Sequence, residues 1–181
     1  APYCFRSYVS VNRHMVFRKA PHQSFEEAAT LPTVFLTAHY ALVELARMRE
    51  GERVLIHAGS GGVGMAAIQI AKGLGLEIFA TAGTPEKRGL VSELGAHHVF
   101  DSRSLDFADG IMDVTGGEGV DAVLNSLAGD FIPKSFSVLR PFGRFVEIGK
   151  IDIYNNSKLG LEQLRDNISY FVVDLAQHLQ E

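Results

Sequence analysis

The chain has 181 residues, a length that can bury one full hydrophobic core and part of a second domain. Its formal net charge of −4 gives no electrostatic support for binding to nucleic acid or to an anionic membrane. Its single cysteine excludes an intrachain disulfide framework and a thiolate metal cluster. No apolar run approaches the length of a bilayer span and no signal-peptide pattern begins the sequence, so we expect a cytoplasmic protein that binds neither membrane nor nucleic acid.

Residues 1–22 carry a strand-like pattern. From Tyr3 to Phe17, aromatic residues, Val and Arg partly alternate before any turn residue occurs. Because a short strand pair cannot bury its own face, we interpret this segment as the trailing strands of a domain whose earlier part is absent.

Two helices are predicted next. Ser24–Glu27 has the composition of a capping box, and we expect the short helix that follows to be interrupted by Pro32. The second predicted helix covers Val34–Met48 and ends at Gly51. Core packing explains most of this helix, but Thr37 near its start is a candidate to line a pocket.

Strand and helix patterns alternate over the rest of the chain. The predicted strands are Val54–Ala58, Ile78–Ala82, His97–Phe100, Val120–Leu124, Arg144–Ile148 and Ser169–Val173. The predicted helices are Val63–Leu74, Pro85–Leu94, Leu105–Val114, Phe131–Leu139, Leu159–Asp166 and the start of a last helix over Leu175–Leu179. Continuous apolar strands between helices predict an α/β protein, a doubly wound Rossmann fold over residues 23–181 with a parallel six-stranded sheet of order 3-2-1-4-5-6.

A glycine-rich turn joins the first strand to its helix. Gly59, Gly61 and Gly64 satisfy G-x-G-x-x-G, in which the glycines permit a tight turn, close approach of a pyrophosphate, and helix–strand packing. Amide donors and the positive end of the helix dipole then face the anion. We therefore predict a dinucleotide site that includes Gly59, Ser60, Gly61, Gly62, Val63 and Gly64.

Two other glycine-loop chemistries do not fit. A phosphate-binding loop of the NTPase type needs Lys followed by Ser or Thr after Gly64, where this chain has Met65 and Ala66. A nucleophile elbow needs G-x-S-x-G, but Ser60 follows Gly59 directly.

The residues after the second strand favour NADP over NAD. Phe79–Pro85 contains no carboxylate that would accept the ribose hydroxyls of NAD. Instead Thr84 is followed by Lys87 and Arg88, which suit the additional 2′-phosphate. A solvated first helical turn is the alternative explanation for these charges.

Taken together, these residues resemble the medium-chain dehydrogenase/reductase superfamily, and within it the enoyl-reductase domain of type I polyketide synthases and animal-type fatty acid synthases. The resemblance covers essentially the whole chain. Its motifs are Ser24–Pro32, Phe35–Leu42, Gly51–Gly64, Ser102–Phe107, Val120–Leu127 and Gly143–Lys150.

The resemblance implies an activity and a domain context. It implies NADPH-dependent reduction of a trans-2-enoyl thioester carried on an acyl carrier protein, without a metal. It also implies a GroES-like substrate domain, to which residues 1–22 would belong and to which the chain would later return. The sequence would then be a fragment of a megasynthase, inactive by itself, whose partners are the other domains of the enzyme.

The resemblance also carries over individual residues. Lys87 and Asp106 correspond to proposed proton donors. The position of Lys87 favours the 2′-phosphate role, because the end of the second strand faces the adenosine end, and Asp106 equally suits a helix N-terminus that its charge stabilises. Residues beyond strands four and five should flank the nicotinamide, because ligands lie beyond the carboxyl ends of such strands. These residues are Asn125, Ser126, Leu127, Gly149 and Lys150.

Two other functions stay open. One is a stand-alone, zinc-independent NADPH quinone or enone oxidoreductase, and the other is a non-catalytic nucleotide-binding or dimerisation module. We also predict a homodimer through the edge of the sixth strand, because an exposed apolar edge invites pairing.

Overall fold

The computed structural model describes residues 6–175 and contains one six-stranded sheet in which every strand pair is parallel. The strands are β1 Arg53–Ile56, β2 Glu77–Ala82, β3 His98–Asp101, β4 Val120–Asn125, β5 Leu139–Glu147 and β6 Ser169–Val172. The helices are α1 Phe25–His39, α2 Gly62–Gly73, α3 Pro85–Leu94, α4 Phe107–Val114, α5 Phe131–Phe136 and α6 Ile151–Tyr154. The sheet order is β3-β2-β1-β4-β5-β6, which confirms the predicted doubly wound fold.

Helices cover both faces of this sheet, and alternate strand residues face opposite layers. On β1, Val54 and Ile56 pack in the core cluster that contains α1, α2 and α3 residues such as Val91. Leu55 between them packs on the other face with Phe107 of α4 and residues of α5. Both faces of β1 are therefore covered, and its apolar run Val54–Ile56 is part of the pattern from which a covered parallel sheet was predicted.

The first long helix corrects one prediction. The Ser24 hydroxyl accepts from the Glu27 amide at 3.0 Å and the Glu27 carboxylate accepts from the Ser24 amide at 2.8 Å, so the capping box is formed. However, α1 continues through Pro32 to His39 and passes into a π-helical turn, Tyr40–Leu45. The predicted interruption is wrong: the helix surface around Pro32 is largely exposed, so water can bind the carbonyl that loses its amide partner.

The same helix also bears on the membrane expectation. Phe25–Leu45 is long and apolar enough, by length and composition alone, to cross a membrane. The sequence-based expectation that no apolar run approaches the length of a bilayer span is therefore wrong for this helix. Core helices satisfy the same criterion, and here Ala38, Ala41 and Leu42 are fully buried in the core cluster shared with α2. We therefore regard this helix as weak support for a membrane contact.

The N-terminal segment departs from the predicted strands. Residues 6–17 contain no strand and only a short 3₁₀ turn, Arg13–Met15, whereas residues 3–5 lie outside the described part of the chain. Tyr8 is 92% exposed and Phe17 is 69% exposed. A strand pairing needs a partner ladder, and the described residues do not supply one to this segment.

Other differences concern element ends. Leu159–Asp166 forms a 3₁₀ turn, Leu161–Leu164, rather than an α-helix. The fifth helix ends at Phe136, and β5 begins at Leu139, earlier than predicted. The short helix α6 was not predicted, and the predicted last helix lies almost wholly outside the described residues.

Candidate functional site

The predicted site residues lie mainly along one edge of the sheet. The glycine turn follows β1, Thr84 follows β2 and Asp106 follows β3. The residues predicted to flank the nicotinamide lie at the ends of the next two strands: Asn125, Ser126 and Leu127 at the end of β4, and Gly149 and Lys150 after β5. All strands are parallel, so these positions share the carboxyl edge. In open α/β sheets, that edge is where ligands bind.

The glycine turn packs so closely against the start of α2 that a Cβ does not fit at Gly64. A Cβ at Gly64 would lie 2.4 Å from the Ala58 carbonyl oxygen and 2.7 Å from the Gly59 Cα. Ala58 itself has a φ of 50°, a left-handed conformation that is strained for alanine. The Gly61 amide donates to the Ala58 carbonyl at 2.8 Å and closes the turn. This strain and close approach fix where α2 begins.

The N-terminus of α2 carries no side-chain cap. Its N-cap residue is Gly61, whereas α1 is capped by Ser24 and α3 by Thr84. The first amides of a helix have no partner within it, so those of Gly62 and Val63 can donate to an anion. Gly61 and Gly62 are exposed, so the cradle fits the pyrophosphate of a dinucleotide.

A buried histidine, His57, precedes the glycine turn and is linked to it by hydrogen bonds through Thr81. His57 is 3% exposed, and its Nε2 lies 2.8 Å from the Ser135 hydroxyl and its Nδ1 3.1 Å from the Thr81 hydroxyl. Ser135 donates to the Phe131 carbonyl, so its oxygen accepts from Nε2–H of His57. Thr81 then donates to Nδ1, and its oxygen accepts from the Ala58 amide at 3.2 Å. Burial lowers the pKa of His57 to about 3, which keeps the ring neutral.

Three cations lie near the carboxyl end of β2. Arg88 is committed to an ion pair with Asp101 at 3.2 Å and also donates to the Ala82 carbonyl. Lys87 is exposed in the first turn of α3, without a side-chain partner among the described residues. Arg103, which we did not single out from the sequence, places Nε 3.3 Å from where a Cβ at Gly83 would be. Lys87 and Arg103 are thus the cations whose charges face no carboxylate.

Thr84 is placed as the N-cap of α3. Its hydroxyl oxygen accepts from the Lys87 amide at 3.3 Å. The amide of Glu86 and the Thr84 hydroxyl hold the pKa of the exposed Glu86 carboxyl below its ordinary value. The Thr84 hydroxyl is therefore shared between the helix cap and a nearby carboxylate.

Asp106 and Thr37 lie away from this group. Asp106 is exposed at the N-cap position of α4, where its carboxylate offsets the helix dipole, and it accepts from the Ser104 hydroxyl at 3.0 Å. Thr37 lies on α1, and its hydroxyl donates to the Thr33 carbonyl at 2.7 Å. One turn earlier on α1, the Val34 side chain would contact a Cβ at Gly62 at 3.0 Å. The face of α1 that carries Val34 thus borders the glycine turn.

The ends of β4 and β5 form a small cleft lined by residues of both loops. The Asn125 amide nitrogen donates to the Glu147 carboxylate at 2.6 Å and to the Leu127 carbonyl at 2.8 Å. The buried Ser126 hydroxyl has no hydrogen-bond partner among the described residues, which is the condition a bound polar group would correct. This cleft therefore fits the polar end of a ligand.

Lys150 is held by the neighbouring strand. Its ammonium group donates to the Val173 carbonyl at 2.7 Å and lies 3.2 Å from the Asp174 carboxylate. Its charge is thus used to join the ends of β5 and β6.

Sequence reasoning missed three residues of this edge: His57, Arg103 and Glu147. Glu147 could have been noticed as a charged residue within an apolar strand, and His57 as a polar residue directly before the glycine turn. Arg103 carried no such signal, because its position near Gly83 depends on how β2 and β3 pair.

Comparisons with known proteins agree with this architecture. The family model described as zinc-binding dehydrogenase matches residues 62–176. The chain is 49% identical, over 95% of its length, to a phthioceranic/hydroxyphthioceranic acid synthase from Mycobacterium tuberculosis, of which it covers 8%. It therefore spans less than a tenth of the length of that relative.

Two solved enoyl-reductase structures are similar to the chain. The nucleotide-binding subdomain of the enoylreductase domain of PpsC from Mycobacterium tuberculosis is 52% identical, with a TM-score of 0.77 over 81% of this chain and 82% of that one. The CurK enoyl reductase is 53% identical, with a TM-score of 0.82 over 91% of this chain and 48% of that one. The chain belongs to the zinc-binding dehydrogenase family and, within it, to the enoyl-reductase domains of polyketide synthases, as the sequence motifs suggested.

Proposed function

We propose that the chain is the NADPH-binding half of an enoyl-reductase domain that reduces an acyl-carrier-protein-bound trans-2-enoyl thioester in polyketide or fatty acid synthesis. The observation that carries this proposal is the N-terminus of α2, which no side chain of the described residues caps, behind a turn in which Gly64 leaves no room for a Cβ. When bound, NADPH supplies the hydride for the β-carbon. The protein binds and orients the cofactor so that its nicotinamide faces the double bond.

Each group of residues has a separate task. The amides of Gly62 and Val63 bind the pyrophosphate, and the cleft beyond β4 and β5 holds the nicotinamide end. Lys87 and Arg103 bind the 2′-phosphate, with Thr84 beside them, whereas Arg88 orients the loop through its ion pair with Asp101. The substrate side is supplied by further domains of the megasynthase, so the isolated chain binds cofactor without turnover. The enzyme acts in the cytoplasm.

Cofactor choice gives the first test. By isothermal titration calorimetry, the chain should bind NADPH at least tenfold more tightly than NADH, because charge-assisted hydrogen bonds to the 2′-phosphate contribute about 1.5–3 kcal/mol each. Lys87→Ala and Arg103→Ala should each remove about tenfold of NADPH affinity and leave NADH affinity unchanged. Arg165→Ala is the matched control, since Arg165 is exposed beyond β5 and pairs only locally with Glu162 and Asp166. Equal affinity for both cofactors would contradict the phosphate site.

The same titration separates the two roles of Lys87. A phosphate ligand lowers NADPH affinity when it is removed, whereas a proton donor lowers turnover of the complete enzyme with both cofactors and leaves affinity unchanged. Asp106 is tested in parallel, because its exposed position at the start of α4 suits either a proton donor or a residue that stabilises the helix.

The matching family is described as zinc-binding dehydrogenases, but the proposed reaction uses no zinc ion. Among residues 6–175, no group of three or more His, Cys, Asp or Glu side chains is placed to hold a metal ion. The described residues therefore do not fit a zinc site, and none of the tasks above uses one.

Dimerisation is proposed through the outer edge of β6. Ser169–Val172 pairs with β5 on one side and with no described strand on the other, and Val172 is 41% exposed. Sedimentation velocity should show concentration-dependent association, and Val172→Lys should shift the chain towards monomer, because a lysine on an exposed edge opposes strand pairing. A single monomeric species at high micromolar concentration would contradict the dimer.

A further inference from the structure

The buried carboxyl group of Glu147 joins the ends of two strands. Glu147 is 2% exposed and lies opposite Asn125 in the β4–β5 register. One of its oxygens accepts from the Asn125 amide nitrogen at 2.6 Å, and the other accepts from the Gly149 amide at 2.6 Å. Both oxygens are therefore occupied by donors, one from each of the loops that begin at this edge.

The partners of Glu147 require its carboxyl group to accept a hydrogen bond through each oxygen. Asn125 uses its second amide hydrogen on the Leu127 carbonyl, and its oxygen accepts from the Leu127 amide at 3.2 Å. The Asn125 side chain is thereby fixed with its nitrogen towards Glu147. A group that accepts through both oxygens satisfies this arrangement, whereas an amide or a protonated carboxyl would turn a donor towards a donor.

The backbone of Gly149 approaches the same carboxyl group closely. A Cβ at Gly149 would lie 2.7 Å from a Glu147 oxygen, so only glycine lets the backbone amide approach this closely. Ser126, between Asn125 and Leu127, and Gly149 line one cleft with Glu147, and the Ser126 hydroxyl there has no hydrogen-bond partner within residues 6–175. The shape of that cleft thus depends on the two hydrogen bonds that Glu147 accepts.

We propose that Glu147 is a positioning residue of the cofactor site, whose carboxylate fixes the loops after β4 and β5 in the conformation that receives the nicotinamide end. This inference rests on the proposed function, since it needs a cofactor at this edge. It assigns to Glu147 a role through Asn125 and Gly149 rather than through contact with the reacting atoms.

Charged groups on every neighbouring element bear on this role. The pKa of Glu147 is raised to about 7: burial is the largest cause and the Asp152 carboxylate at α6 adds to it, whereas Asn125, the Gly149 amide and Lys150 oppose the rise. From β6, the Tyr170 hydroxyl faces the same region, and burial together with Glu147 and Asp152 raises its own pKa to about 12. Because the carboxylate form is the one that accepts both hydrogen bonds, NADPH affinity should increase by about fivefold as the pH rises from 6 to 8.

A double-mutant cycle tests the assignment. Glu147→Gln places a donor against a donor, and Asn125→Asp places a carboxylate against a carboxylate, so each should weaken NADPH binding about tenfold. In the double variant, the new Gln amide donates to the new Asp carboxylate and its oxygen still accepts from the Gly149 amide. The double variant still lacks the donor to the Leu127 carbonyl, so we expect it to bind NADPH about threefold more weakly than the wild type, but more tightly than either single variant and without the fivefold pH dependence.

Adenosine 2′,5′-bisphosphate is the matched probe, because it carries the phosphate end of the cofactor and lacks the nicotinamide. All variants should bind it like the wild type at every pH, which also corrects for titration of the phosphate itself. Wild-type protein that binds neither NADPH nor this probe would contradict the proposed function. Full NADPH affinity in Glu147→Gln would overturn only the role of Glu147. Equal loss of both ligands in the single variants would also overturn it, because Glu147 would then be a general stability residue.

Discussion

Replacing Gly64 with alanine is expected to abolish detectable cofactor binding and to lower the free energy of unfolding by about 3 kcal/mol. The added Cβ would lie 2.4 Å from the Ala58 carbonyl oxygen, 2.7 Å from the Gly59 Cα and 2.9 Å from the Gly59 carbonyl carbon. These are backbone atoms of a turn that is already strained at Ala58, so α2 must move away from β1. That movement shifts the amides of Gly62 and Val63, on which pyrophosphate binding depends. Urea unfolding and calorimetric titration with NADPH measure the two effects.

Gly73, at the other end of the same helix, supplies the control. A Cβ there would meet no atom within 4 Å, so Gly73→Ala should leave binding unchanged and stabilise the protein by up to about 0.5 kcal/mol. Gly61→Ala is intermediate, because its Cβ would lie 3.2 Å from the Ala58 carbonyl oxygen. If Gly64→Ala were as stable as Gly73→Ala and bound NADPH equally well, the close approach of α2 to the turn would be of no consequence.

The glycine turn was predictable because its signal is local, and the strand order followed from the dinucleotide-binding fold that this turn and the alternating elements indicate. Apolar runs with Gly59–Gly64 between the first strand and helix determine a covered parallel sheet and its ligand edge. The continuation of α1 through Pro32 was not predictable, since propensity alone argues for a break and the exposure of that turn follows from packing. The N-terminal segment has a strand-like sequence, but residues 6–17 form no strand because the described residues offer no neighbouring strand to pair with. Sequence periodicity does not reveal whether such a neighbour exists.

The contacts that tune the site were harder to predict, because they join distant residues. His57 and Ser135 are 78 positions apart, and Asn125 and Glu147 are 22 positions apart. The sequence predicts Arg88 as a phosphate ligand and does not reveal its ion pair with Asp101, which the pairing of β2 with β3 brings beside it. The register between strands decides the pairings of Asn125 with Glu147 and of Arg88 with Asp101, and the packing of α5 on the sheet decides that of His57 with Ser135; single-sequence patterns contain neither.

His57 should make the protein sensitive to acid over a defined range of pH. Its pKa is 6.5 in the unfolded chain and about 3 in the folded one, because burial disfavours the imidazolium. Between these values the unfolded state binds the extra proton, so the free energy of unfolding falls as the pH is lowered. The slope is about 1.4 kcal/mol per pH unit, so the whole window between the two pKa values amounts to about 5 kcal/mol.

Glu147 opposes this trend over part of the range. Its pKa is raised from 4.5 to about 7 by burial, so the folded state holds the extra proton and stability falls as the pH rises through that window. The two slopes have opposite signs between pH 4.5 and 6.5. The contribution of His57 should therefore be uncovered most clearly between pH 3 and 4.5, where Glu147 is protonated in both states.

Substitution of His57 by Gln or Asn isolates its contribution. His57→Gln keeps a donor for the Ser135 hydroxyl, whereas His57→Asn keeps an acceptor for the Thr81 hydroxyl, so each should cost about 1–3 kcal/mol near pH 7 for the partner left unsatisfied. Neither side chain titrates, so the difference in unfolding free energy between wild type and variant should shrink and then reverse as the pH falls towards 3. Chemical denaturation at half-unit pH steps measures that difference, with the exposed His14→Gln as control. A difference that stays constant from pH 7 to pH 3 would mean that His57 is not held neutral beneath the glycine turn.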